Sequence, residues 1–255
     1  MPISLRGHSA VFLLLSMINL PVLAAEVNAA VAADFAAPME RIATLFQKES
    51  GNTIKINAAA SGKLYNQIKG GAAFDVMISA DEDIPKRLMK EGLAVSGSRL
   101  VYATGRLVLW SVQPDLVDNK GAILNAGNFE TVAYANYTLS PYGQATKETL
   151  VKLTMWNAIQ RKLKKSDDVI QTYQLAASET TDMAFIALSQ IMHDGKVSKG
   201  SWWLVPAELH QPIRQSAVLL TNAKDQEAAK TLLAFLKSEK AQAVMRAFGY
   251  ALPER

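Results

Sequence analysis

Ala59-Ala-Ser-Gly-Lys-Leu-Tyr-Asn-Gln-Ile-Lys-Gly-Gly-Ala-Ala-Phe-Asp-Val-Met-Ile-Ser-Ala-Asp81 sets a helix and a strand back to back. Leu64 and Ile68 fall on one face of a helix that Ser61-Gly62 opens and Gly70-Gly71 stops. Asp75-Val-Met-Ile-Ser-Ala80 then reads as a short buried strand. Outward from this stretch the same unit repeats. Residues 27–33 form a short apolar strand, and Met39, Ile42 and Phe46 follow at helical spacing until Ser50-Gly51. Residues 53–58 alternate as a strand ahead of the quoted helix, and beyond Asp81 the positions Ile84 and Leu88 lead to a stop at Gly92. Three strand-helix units of about thirty residues each predict a parallel sheet with helices on both faces.

Residues 100–112 read as one long β segment with Gly105 in its middle, which suits a crossover between two lobes. Further strands are expected at 131–135, 183–188 and 202–205, with helices after Pro141-Tyr142-Gly143 and from Val169. Residues 216–221 form a second extended stretch able to carry the chain back, and two amphipathic helices close the sequence before Gly249. The expected architecture is α/β and two-lobed, each lobe a mostly parallel sheet flanked by helices, with two hinge crossovers. Lobe one takes residues 25–104 plus 221–255 and lobe two takes 105–220. Such a shell closes on a ligand held between its halves.

Residues 1–24 stand apart from this pattern. Arg6 is their only charged side chain, residues 11–23 are almost wholly apolar, and Val22-Leu23-Ala24 supplies a small-residue cleavage site. The run is shorter than the ~18 residues a spanning helix needs. A secretory leader cut after Ala24 or Ala25 is expected, placing the mature chain in the periplasm. The 255 residues contain no cysteine, three histidines and a net charge of +4 that is spread rather than clustered. That composition excludes disulfide scaffolds, thiolate metal sites and cysteine nucleophiles, and offers no basic face for nucleic acid.

Small residues followed by helix starts occupy the ends of the first two strands: Ala32-Ala33-Asp34 and Ala59-Ala60-Ser61-Gly62. Ligands of open α/β sheets bind beyond the carboxyl ends of the strands, where helix N-termini present unpaired N–H groups. Those groups suit an oxyanion without help from Lys or Arg. Ser61 is placed either to add a hydroxyl to such a site or simply to cap its helix.

The quoted stretch resembles the signature of periplasmic molybdate-binding proteins, the substrate receptors of ABC importers. Ser98-Arg-Leu-Val-Tyr-Ala-Thr-Gly105, Ser140-Pro-Tyr-Gly143, Ala184-Phe-Ile-Ala-Leu-Ser-Gln190 and Phe248-Gly-Tyr250 fall in that family's order and spacing. The resemblance implies the type II periplasmic binding protein fold, molybdate or tungstate in the cleft, no cofactor, no catalysis, and a permease in the inner membrane as partner to a monomeric receptor. Position by position it implies oxyanion contacts at Ala33, Asp34, Ser61, Tyr142 and the backbone of Val169. No residue serves as a direct ligand to a metal cation. A tyrosine that some members use falls here on Ala187.

Asp34 departs from the Ser or Asn common at its position. A carboxylate ~4 Å from a second anion is repelled by about 1 kcal/mol in water and about 4 kcal/mol at an effective dielectric of 20. Ionised, it can only accept hydrogen bonds. Three readings stay open at this point. Asp34 caps the first helix, or it weakens the site or binds only when protonated, or the same fold has changed ligand or lost its transport role. A secreted hydrolase using Ser61, with Lys63 as base, and a cell-surface interaction module are more remote. His193 and His210 read as solvated loop residues, and Asp81-Glu82-Asp83 as acids complementing a helix dipole.

Overall fold

Val27, Ala29 and Val31 enter one buried cluster and Ala30 another, so β1 (Glu26–Ala32) is covered on both faces, as a central strand requires. The computed structural model describes residues 24–197 and 199–253; the expected leader lies outside them apart from Ala24. A 3-10 turn, Ala33–Phe35, links β1 to α1 (Ala36–Ser50), which buries Met39, Ile42 and Phe46 and ends at Gly51 with φ +75°. The pattern continues through β2 (Thr53–Ala59), α2 (Ser61–Lys69), β3 (Val76–Ser79) and α3 (Asp83–Lys90) to β4 (Leu100–Gly105). As the three repeated units predict, β2, β1 and β3 pair in parallel.

The second lobe contains β5 (Leu107–Ser111), the short α4 (Ile123–Ala126), β6 (Val132–Ala135), α5 (Pro141–Lys152), β7 (Leu163–Ser166), α6 (Val169–Ala177) and β8 (Met183–Ala187). A small hairpin, β9 (Met192–His193) and β10 (Lys196–Val197), precedes β11 (Ser201–Leu204). The chain then returns through β12 (Ile213–Leu219), α7 (Gln226–Phe235) and α8 (Glu239–Ala247). The two five-stranded sheets have the orders β2-β1-β3-β12-β4 and β11-β5-β8-β6-β7. In each, the strand arriving from the other lobe, β12 or β5, runs antiparallel to both its neighbours while the remaining pairs are parallel.

Both crossovers differ in detail from the sequence expectation. Residues 100–112 are two strands in different sheets, β4 and β5, with the crossing at Arg106. The return crossing precedes the stretch expected to carry it. Ile213–Leu219 already pairs with β3 and β4, so residues 213–220 belong with lobe one and the division between 220 and 221 moves back to 206–212. The physical reason is burial. Six of the seven β12 residues are buried, which fits a sheet interior, whereas Pro206 and Pro212, lacking N–H groups, bracket the connection. His210 on this connection is buried, its Nδ1 2.7 Å from the Gln211 carbonyl, and not solvated as expected.

Three alanines at the strand ends of lobe one, Ala32, Ala33 and Ala80, share a buried apolar cluster with Tyr142, Val169 and Ile213. The core of the second lobe therefore reaches across the cleft, and the lobes meet directly.

Candidate functional site

The cleft is lined by chain turns that leave the sheets at their carboxyl ends. Ala60 is the N-cap of α2, so Ser61 is the first helical residue and does not serve as its cap. Its Oγ instead accepts from the Ala80 N–H at 3.1 Å, pinning the start of α2 to the end of β3. Ser61 is 1% exposed, and among the described residues no acceptor takes its hydroxyl proton. Across the cleft, Ser140 caps α5 by accepting from the Gly143 N–H, which sets the buried Tyr142 in the first turn. Asp168 caps α6 by accepting from the N–H groups of Ile170 and Gln171, leaving the Val169 N–H at the helix start without an intrahelical acceptor. Ala33, Tyr142 and Val169 lie in one buried cluster with Ala80, whose N–H Ser61 holds. The structure thus brings together the residues expected from sequence. Ala187 is buried at the end of β8, and its N–H donates to Gln190, whose amide in turn donates to the Val169 carbonyl at 2.7 Å.

Asp34 is the buried centre of a network that joins the lobes. Its Oδ2 accepts from the Gln215 amide and from the Tyr250 hydroxyl, the latter at 2.8 Å. Its carbonyl accepts from the Ser189 hydroxyl at 2.8 Å and from Tyr250 at 2.9 Å. Gln215 completes the set, accepting from Tyr102 at 2.7 Å and approaching the Tyr142 oxygen at 3.4 Å. The reading of Asp34 as a helix cap is corrected: neither the 3-10 turn nor α1 receives a side-chain cap, because the carboxylate is taken up by Gln215 and Tyr250. Burial pushes the Asp34 carboxyl above the ordinary carboxylate range, although its hydrogen bonds pull the other way. Burial, and then the Asp34 charge, hold Tyr142 and Tyr250 well above the usual phenol value, so both stay protonated donors.

Two glycines make this approach possible. The Gly62 N–H donates to the Leu139 carbonyl across the cleft at 2.8 Å, and a Cβ at Gly62 would stand 2.9 Å from Leu139 Cα. A Cβ at Gly105 would stand 2.1 Å from the Tyr142 hydroxyl oxygen. Beside these contacts a cavity of about 760 Å³ opens between the lobes, with Gly62, Ala80 and Asp81 on one wall and Leu139, Ser140 and Pro141 on the other.

Gln215, Tyr250, Tyr102 and Ser189 were missed as site residues. Tyr102 and Tyr250 lie inside stretches that already stood out in the sequence, but nothing in their spacing ties them to Asp34. Gln215 sits at the register shift of β12, which only pairing reveals. The hydrolase arrangement is not formed. Ser61 Oγ bonds to a backbone N–H, and among the described residues no imidazole, carboxylate or amine bonds to it. Among the described residues no group of His, Cys, Asp or Glu could hold a metal ion, and no helix is long and apolar enough to cross a membrane.

Comparison with known proteins shows the family. The family described as bacterial extracellular solute-binding protein matches residues 27–251. The chain belongs to that family. Within it, the molybdate-binding protein ModA of Azotobacter vinelandii is 44% identical over 229 residues, 90% of this chain and 91% of that protein. The molybdate-binding protein ModA of Rhodobacter capsulatus is 41% identical over 249 residues, 98% of this chain and 97% of the relative. The solved Azotobacter vinelandii periplasmic molybdate-binding protein superposes with a TM-score of 0.87 at 35% identity, covering 89% of this chain and all of that one. The two-lobed fold is therefore that of the family.

Proposed function

We propose that this chain is an exported receptor that captures molybdate, or the isostructural tungstate, between its lobes and delivers it to the permease of an ABC importer. The observation that carries this reading is the convergence of the Ser61 hydroxyl, the buried Tyr142 and the N-termini of α2, α5 and α6 at the lobe interface, in a chain 41–44% identical to two molybdate-binding proteins. Ser61 and Tyr142 supply hydroxyl donors, the backbone at Ala33 and Val169 supplies N–H groups, and Asp34 governs the charge of the pocket. Helix dipoles stabilise the dianion, so no Lys or Arg is needed. The protein binds and releases; it makes and breaks no covalent bond and needs no cofactor. All the contacts come from one chain, so a monomer suffices, acting in the periplasm after loss of its leader.

A thermal-shift series on the mature protein with molybdate, tungstate, sulfate and phosphate tests the reading. Molybdate and tungstate should raise Tm in a concentration-dependent way, by linkage to the folded state. No shift with either at millimolar concentration would refute it.

A further inference from the structure

The Asp34 carboxylate already holds donors that an incoming oxyanion would want. Each phenol has one proton to give, and Tyr250 gives its proton to Asp34, while the Tyr142 oxygen faces the Gln215 amide at 3.4 Å. The Tyr142 ring is buried and its hydroxyl rests against Gly105, so it cannot swing away on that side. The groups facing Asp34 are Gln215 from β12, Tyr250 from the segment after α8, Tyr142 from α5 and Ser189 from the 3-10 turn after β8. Tyr102 of β4 reaches it through Gln215, with Asp81 acting on Tyr102 from beyond. On α6, packed against the same turn, Asp168 spends its carboxylate on its own helix, and Arg41 of α1 is paired at the surface with Asp194. Among the described residues no Lys, Arg or His bonds to Asp34. An ionised Asp34 would keep the Gln215 and Tyr250 protons and repel a second anion with no cation between them.

We propose that Asp34 makes this a proton-coupled site, in which the oxyanion dianion enters together with one proton that the Asp34 carboxyl carries while the ligand is bound. The proton comes from solvent and adds to the carboxylate; no bond of the ligand forms or breaks. Protonated Asp34 becomes a donor beside the Tyr142 hydroxyl, which has its own proton to give to the ligand. Burial of the carboxyl, which favours its neutral form, lowers the cost of this step. The inference rests on the oxyanion reading above and specifies how that site is regulated.

Titration calorimetry with sodium molybdate tests it, using the wild-type mature protein and Asp34→Asn from pH 6 to 9 in pairs of buffers with unlike ionisation enthalpies. Wild type should take up as much as one proton per molybdate. Its Kd should weaken by about tenfold per pH unit above the point where Asp34 of the free protein ionises. Asp34→Asn should bind with no uptake and a flat pH profile, and tighter than wild type at pH 9. Wild-type binding that is independent of pH and takes up no proton anywhere in this range would overturn the proposal. Should Asp34→Asn fail to fold, the wild-type proton count decides alone. No binding heat from either protein at any pH would remove the molybdate reading itself, and this inference with it.

Discussion

A buried carboxylate held only by neutral donors is a liability that rises with pH. The Asp34 carboxyl has a higher pKa in the fold than the 3.8 of an exposed aspartate. The stability it allows is therefore fully present below about pH 4 and is lost as pH climbs through its folded value. Asp34→Asn keeps an acceptor for Gln215 and Tyr250 while removing the titration. Its Tm should gain on wild type as pH rises above about 4 and until the folded carboxyl has ionised, and a gap that stays constant in melts from about pH 4 to 8 would contradict the assignment. Ser61 is the complementary case, a neutral hydroxyl whose oxygen is engaged and whose proton is left to give. Ser61→Ala should weaken molybdate binding by about 1–3 kcal/mol, the cost of losing a hydrogen bond to a charged group. Wild-type affinity by calorimetry would take Ser61 out of the site.

Helix starts do at the next scale what side chains do at the first. The first turn of α2 meets the residue just before the α5 cap across the cleft because Gly62 has no side chain and Leu139 can approach its backbone. Gly62→Ala places a methyl against backbone atoms that cannot rotate aside. Overpacking of this kind costs about 1–3 kcal/mol, and here it falls on closure, since neither lobe's own core is touched. Molybdate affinity should drop by roughly ten- to a hundredfold with the far-UV circular dichroism unchanged. Unaltered affinity would mean that the lobes do not close through this contact. Which residues form α1 and α2 was legible from Met39, Ile42, Phe46, Leu64 and Ile68, because an amphipathic helix writes its period into the chain. That Gly62 faces Leu139 was not, since seventy-seven positions of sequence carry no signal for that pairing.

At the scale of the molecule, the two lobes are coupled by a shared core. Ala32, Ala33 and Ala80 bury themselves with Tyr142 and Val169 of the second lobe, and the Asp34 network draws on β4, β12, α5 and the C-terminal segment together. Scanning calorimetry with molybdate present should show one unfolding transition, with Tm rising as ligand is added; two separate transitions would show that the lobes are independent. Surface charge contributes little to this coupling. Arg41 and Asp194 join α1 to the β9–β10 hairpin at 2.7 Å, but both are largely exposed. Such exposed pairs contribute little, so Arg41→Ala should leave the transition nearly where it was.

Local pattern alone carried the three strand-helix units, the parallel core of the first sheet and the placing of Ala33, Asp34 and Ser61 at strand ends, because periodicity and glycine stops act over a few residues. The motif resemblance carried Tyr142 and Val169 and the ligand class, since those depend on order along the whole chain. Tertiary structure decided the rest. It put β12 in the first sheet rather than the second, since pairing partners so far apart in sequence are chosen by burial on both faces and not by propensity. It also decided what Asp34 does. Its sequence neighbours admit a cap, a repelling anion or a changed ligand, and only the meeting of Gln215, Tyr142 and Tyr250 around it shows a carboxyl committed to a buried network, whose charge is set by desolvation and by contacts up to 216 residues away.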